Sequence, residues 1–320
     1  MNGKIDNLNL NSKQNNQSVV KEENKLLKFF KNNIFFIILG ILLLIYTASM
    51  LFVFSFGIIN SFKSADEYGW NQAQFPTEGW QFKNYVTALA ELYVNVKMAD
   101  GSLIPYGLFN MYIHTILYAV GCGFLSTLVP CFTAYLTGRF KYKFSGIIVG
   151  IVIVTMSLPI VGSTPSSLQL ARSLGLYNKI WGLWIMSAHF QMGIHFLVFH
   201  ESFRSFPEAY KEAAEIDGAN NFQVMFRIML PLVKNVFFTV FLLRVIGYWN
   251  EYQTALLYMP AFPTISYGLF IFTFVNTDNT LCNVPMKLTC AFLVAIPIFV
   301  VFCIFQNRIM SNLSIGGIKG

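Results

Sequence analysis

The stretch IFFIILGILLLIYTASMLFVFSFGIINSF, Ile34 to Phe62, carries no charged side chain, and Lys21, Lys25, Lys28 and Lys31 lead into it. A helix needs about 20 apolar residues to cross the roughly 30 Å hydrocarbon core of a bilayer, so this stretch is long enough to span. It exceeds the apolar core of a secretory signal and lacks a small-residue cleavage site. It therefore reads as a retained transmembrane helix at 34–62. Residues 1–33 are expected to form a disordered cytoplasmic tail with a basic flank, because the Asn, Gln, Ser and Lys that dominate 1–20 bury too little apolar surface to order the chain.

Further uncharged windows follow at a similar scale. One from Gly101 to Gly138 contains Pro105 and is too long for one span, so a second helix is expected from Met111 to Arg139, kinked at Pro130. The third is expected at 144–163, where Pro159, Gly162 and Pro165 stop it. The fourth, Ile180 to His200, begins with Trp181 and Trp184 in the manner of an interfacial aromatic belt. The fifth, Val236 to Tyr258, is interrupted by Arg244 and Glu251, whose charges cost about 2.5 to 3.5 kcal/mol each at mid-bilayer unless a helix bundle accommodates them. The sixth runs from Leu288 to Asn307 with Pro297 inside.

The whole composition agrees. In 320 residues, 55% are hydrophobic, 17% aromatic and only 12% charged, too little polar surface to coat a water-soluble globule. The formal charge of +7 does not indicate nucleic acid, because the basic residues flank apolar runs and form no stripe interleaved with stacking aromatics. With six spans, both termini share one side. A cytoplasmic amino terminus places 15 of the 22 Lys and Arg inside, with Arg139, Lys141 and Lys143 the clearest short-loop cluster. The segment 63–110, with Trp70 and Trp80, is then extracytoplasmic, and 308–320 is a cytoplasmic C-terminal tail. Of the five cysteines none forms a C-x-x-C pair; Cys282 and Cys290 fall near the outer face, where a disulfide is open to them.

The largest inner loop, at 203–234, reads as two short helices. Ser205 with Glu208 matches a capping box, Pro207 suits a first turn, and Gly218 is a left-handed stop after Asp217. Phe222, Met225, Phe226 and Met229 then recur on one face before Pro231 is expected to break the helix. Glu208, Glu212, Glu215 and Asp217 against the single Lys211 leave the first helix at −3, and Ala213 and Ala214 leave its backbone uncovered. Such a helix suits insertion into a cleft on a cytosolic partner, although a merely solvated hairpin has the same composition.

Glu212-Ala213-Ala214, Asp217-Gly218-Ala219, Ile228, Leu230 and Pro231 resemble the EAA loop of permease subunits in binding-protein-dependent ABC importers. The resemblance extends through Trp80, Phe82, Asn84 and Tyr85, Leu174-Gly175-Leu176, Ile180-Trp181-Gly182, Trp249-Asn250-Glu251-Tyr252 and the ending Gly316 to Gly320. It is similar to the second subunit of maltose-type sugar permeases. His114, Asn235 and Asn312 depart from the usual pattern. The resemblance implies an all-α, polytopic type I importer permease fold with a core at 111–307. It further implies a non-catalytic subunit passing a sugar, an oligosaccharide in particular, inward by alternating access. Its partners would be a homologous permease, two cytoplasmic ATPase subunits and an extracytoplasmic solute-binding protein. Glu212, Ala213, Ala214, Asp217 and Gly218 would couple it to the ATPase. The chain has no G-x-x-x-x-G-K-[ST] phosphate loop, so ATP would be bound elsewhere, and no cofactor is called for.

Trp249, Asn250 and Glu251 are candidates for the translocation path or subunit interface. Arg244 can face that path, pair with a neighbouring subunit, or snorkel; it lies about 10 Å along the helix axis from Glu251, too far for a direct pair. His189, His195 and His200 lack the i, i+4 spacing of a metal site. The rival function is an ion-coupled secondary transporter, which would ordinarily need more intramembrane acids or an inverted repeat than the sequence displays.

Overall fold

The computed structural model describes residues 33–98, 100–140, 142–158, 162–189, 193–276 and 281–313. The tail before residue 33, Lys141, Pro159 and the Gly316-to-Gly320 ending lie outside them. The chain divides into two compact units, residues 1–60 with 73–75, and residues 61–72 with 76–320. The first unit is built on α1 (Asn33–Ser61), a continuous apolar helix whose large side chains, Phe35, Leu44 and Phe52 among them, are exposed. Thr47 and Ser49 return their hydroxyls to the carbonyls of Leu43 and Tyr46, which satisfies them without water.

In the second unit, α2 (Ala65–Trp70) and α3 (Lys83–Glu91) precede a hairpin of β1 (Tyr93–Lys97) and β2 (Leu103–Gly107). The strands pair antiparallel with Asn95 opposite Pro105. Then follow α4 (Leu108–Arg139), α5 (Ser145–Ser157), α6 (Thr164–Ser173), α7 (Ile180–Ser187), α8 (Ile194–Ser205) and α9 (Ala209–Ile216). The last four are α10 (Asn221–Asn250), α11 (Gln253–Tyr258), α12 (Ile265–Val275) and α13 (Val284–Leu313).

Among the described residues, four helices are long and apolar enough to span: α1, α4, α10 and the Val284–Asn307 part of α13. Three expected spans differ. The third is a 13-residue helix, about 20 Å long at 1.5 Å per residue, ending at Ser157 rather than 163. The fourth, expected unbroken over 180–200, is two helices, with Gly193 at φ +51 opening the second and the Met156 side chain 3.0 Å from where its Cβ would stand. The fifth starts at Asn221 and ends at Asn250, with Gln253–Tyr258 separate. Pro231 does not break it. A π turn at Met225–Met229 widens the helix just before the proline, relieving the clash its ring would make with the i−4 carbonyl. Pro130 lies within an unbroken α4.

Small residues let α4 serve as the central helix. Its Gly121 faces the Trp184 indole, whose Nε1 donates to the Leu117 carbonyl at 2.9 Å, and Gly123 faces Val245 of α10. Backbones can approach this closely only where side chains are missing. Trp184 therefore packs into the bundle, whereas Trp181 remains exposed with the Lys179 ammonium over its ring. Among the described residues two apolar clusters fill the bundle, one around Met111, Tyr118, Trp249, Met259 and Ile265, the other around Phe196, Phe199, Phe203, Met229 and Val233.

The segment at 61–85 is pinned. The Phe62 ring meets those of Trp80, Phe82 and Tyr85, and the Asn84 amide donates to the carbonyls of Ser61 and Lys63. Glu67, fully buried, accepts from the Thr77 N–H at 2.6 Å, the Thr77 hydroxyl at 3.0 Å and the Asn71 amide at 3.1 Å. Burial opposes its charge, but these bonds prevail and hold the carboxyl below its ordinary value. Cys282 and Cys290 are both free thiols, so the disulfide left open by the sequence does not form.

Candidate functional site

The loop between α8 and α10 holds α9, and its ends are defined by backbone chemistry. At the C-terminus Gly218 adopts φ +80, its N–H bonds to Glu215 O at 3.0 Å, and the Ala219 N–H reaches Ala214 O at 2.9 Å. That is a Schellman motif, and glycine adopts its left-handed residue at little cost. The expected Ser205–Glu208 capping box is absent: Ser205 Oγ donates back to Ser202 O, and Glu208 makes no side-chain cap bond. Serine inside α8 is one turn from its own helix carbonyl, which competes locally for the hydroxyl. The reciprocal box occurs instead at α10, where Asn220 Oδ1 accepts from Gln223 N at 2.8 Å and Gln223 Oε1 accepts from Asn220 N at 2.9 Å.

The two alanines differ in role. Ala214 is 5% exposed and packs in the cluster of Phe203, Val224 and Met229, whereas Ala213 is exposed along with Glu212, Asp217 and Gly218. Opposite Ala214 stands Ile216, 86% exposed, and Phe222 at the start of α10 is 69% exposed, its ring tilted at 44° against Phe226 with centroids 4.5 Å apart. The face is thus acidic with apolar knobs. The exposure of Ile216 follows once Ala214 is seated, since two residues beyond a buried helical position is about 200° around the helix. For Phe222 and Phe226 the expected buried face is only half realised; of the four periodic residues Met229 alone is fully buried.

The other candidates lie elsewhere. Arg244 is half-buried on α10, its Nε donating to Ser126 Oγ at 3.3 Å and its terminal nitrogen to Tyr248 OH at 3.2 Å, with the guanidinium 5.2 Å above the Tyr248 ring. Trp249 is buried and donates to Val294 O at 3.2 Å. Glu251 accepts the N–H groups of Gln253 at 2.8 Å and Thr254 at 3.1 Å, so its carboxylate caps α11. Asn250 lines a cavity of about 440 Å³ between the end of α10, α12 and α13, together with Tyr252, Ser266, Phe270, Thr273 and Lys287. The Tyr252 and Phe270 rings stack there at 4.4 Å and 14°. The structure thus gathers Asn250 to the cavity and assigns Trp249 and Glu251 to packing and capping.

The histidines have separate surroundings. His114 lies between the rings of Tyr106 and Phe262 with Nδ1 3.1 Å from Pro263 O, so that nitrogen carries the proton. His200 stacks on Phe196, and His189 Nδ1 lies 3.3 Å from Met186 O.

Residues 127–314 match the model of the family described as binding-protein-dependent transport system inner membrane component. The chain is 27% identical to the sulfoquinovosyl glycerol transport system permease protein of Agrobacterium fabrum, over 67% of this chain and 73% of that one. It is 23% identical to the diacetylchitobiose uptake system permease protein of Streptomyces coelicolor, over 81% of each. Among solved structures it is similar to a bacterial ABC transporter involved in the import of the acidic polysaccharide alginate, with a TM-score of 0.67, 25% identity, and coverage of 87% of this chain and 97% of that chain.

Proposed function

Since the chain belongs to the family of binding-protein-dependent transport system inner membrane components, we propose that it is the sugar-conducting permease subunit of an ABC importer, with its acidic α9 as the contact for a cytoplasmic ATPase. The observation that carries the reading is the exposed face of α9, in which Glu212, Ala213, Ile216 and Asp217 surround a helix closed by Gly218 and set between α8 and the spanning helix α10. Negative charge with apolar knobs suits a cleft that is basic at its rim and apolar at its floor. Ala214 couples from the other side, by seating α9 on the bundle. The subunit is non-catalytic; hydrolysis takes place on the ATPase pair, and passage is by alternating access between this permease and a homologous one.

A sugar as cargo is supported by the similarity to the sulfoquinovosyl glycerol and diacetylchitobiose permeases and by the cavity beside Asn250. Its stacked Tyr252 and Phe270 rings offer apolar faces to a pyranose, and Asn250, Ser266, Thr273 and Lys287 offer polar groups to hydroxyls. About 440 Å³ falls within the range of ligand sites, and an oligosaccharide can thread through it one unit at a time. The positive-inside distribution supports cytoplasmic termini, an inner 203–234 loop and an outer 63–110 segment. A solute-binding protein would then deliver the sugar on the Tyr93–Gly107 side.

Co-expression with an adjacent permease, ATPase and binding protein tests the assignment. A stoichiometric complex is expected, and Glu212→Lys should remove substrate-stimulated ATP hydrolysis while membrane insertion persists. A chain that transports alone, driven by a proton or sodium gradient, would overturn it.

A further inference from the structure

Movement of α9 has covalent routes into α8 and α10, but none into α4, the helix on which α7, α8 and α10 pack. The connection to α4 is made by Arg139, its last residue. The Arg139 guanidinium donates to Phe206 O at 2.9 Å and to Phe203 O and Pro207 O at 3.4 Å each. Those carbonyls belong to the end of α8 and the linker into α9, where a helix leaves its last acceptors without intrahelical donors. Two helix C-termini, of α4 and α8, therefore meet, and one cation answers the partial negative charge of both. Around it the Tyr135 ring packs edge-on against Phe140 and Phe203. The Lys211 ammonium of α9 lies 4.9 Å above the Phe140 ring, directly after Arg139.

We infer that Arg139, seconded by the Lys211–Phe140 contact, is the positioning residue that transmits displacement of α9 to α4. Apolar packing between α4 and α8 is non-directional and tolerates sliding, whereas three hydrogen bonds from one planar group to the carbonyls of Phe203, Phe206 and Pro207, in the last turn of α8 and just beyond its end, hold one register. A push on α9 along its linker thus pulls on α4 at Arg139. The sequence presents Arg139 only as one member of a positive-inside cluster; its second role comes from where α8 ends. This inference rests on the reading of α9 as the ATPase contact.

The test compares two reporters in the assembled complex of both permeases and ATPase, with the native cysteines replaced. One reporter cysteine is placed at Phe124 on α4 and one at Leu243 on α10, and the probe is a fluorescent maleimide whose labelling rate is read with and without ATP and vanadate. Wild-type linkage should give an ATP-dependent change at both. Arg139→Gln should retain ATPase binding and basal hydrolysis and reduce the change at 124 by about ten-fold, the scale of one charge-assisted hydrogen bond, while sparing 243. Arg139→Lys should retain part of it, because the charge remains but the planar fork is lost. Lys211→Met should give a smaller loss in the same direction.

An undiminished change at 124 in Arg139→Gln overturns the inference, as does parallel loss at 124 and 243. If Arg139→Gln does not assemble, an unaltered response at 124 in Lys211→Met overturns it, and a selective loss there supports it. Failure of the wild-type chain to bind an ATPase at all would instead refute the assignment of α9.

Discussion

Gly218 offers the sharpest test of the loop, because its substitution separates backbone conformation from steric fit. No heavy atom lies within 4 Å of the position a Cβ would take, and φ is +80. The cost of a side chain there is therefore conformational. Holding a non-glycine residue in the left-handed region costs about 1 to 3 kcal/mol, with β-branched valine at the upper end. Leaving that conformation instead gives up the Gly218-to-Glu215 and Ala219-to-Ala214 bonds, each worth about 1 kcal/mol. The two costs are comparable, so valine should leave the native turn and altered turns similarly populated. Asparagine adopts the left-handed region more readily and should keep most of the native turn. In a reconstituted complex, substrate-stimulated ATP hydrolysis and uptake should fall in the order Gly, Asn, Ala, Val, with insertion and expression level unchanged. Equal activity of Gly218→Val and wild type, or Asn as damaging as Val, would refute the reasoning.

Gly182→Ala should lower the detergent melting temperature sharply, because its Cβ would stand 2.1 Å from the Leu176 carbonyl oxygen, whereas Gly150→Ala, with open space, should not. Arg244→Leu removes the donor that Ser126 and Tyr248 accept from and is expected to reduce uptake or assembly with the second permease; Arg244→Lys should restore part, and normal behaviour of the leucine variant would make Arg244 a peripheral residue. Glu67 ionises more readily in the fold than its ordinary value of 4.5, so its contribution to stability is present at neutral pH and lost as pH falls through the depressed folded value. Acid melts of the purified chain should show that loss in wild type and a weaker pH dependence in Glu67→Gln.

The long apolar runs at 34–62, 111–139 and 288–307 were legible one residue at a time, because bilayer thickness sets a length that composition must meet whatever packs against it. Gly218 was legible for a similar reason: a left-handed residue is a local demand that one amino acid meets best. The acidic charge of α9 was likewise plain. Where the reading failed, two elements competed for one group. Ser205 chose its own helix over capping the next, and Pro231 was absorbed by a π turn. Trp184 left the expected interface for the space over Gly121. Tertiary structure alone decided that Ala214 is seated and Ala213 presented, that Asn250 reaches a cavity while Glu251 caps a helix, and that Arg139 closes the end of α8. Each depends on which chain ends meet across sequence separations of tens of residues, and no local propensity contains that distance.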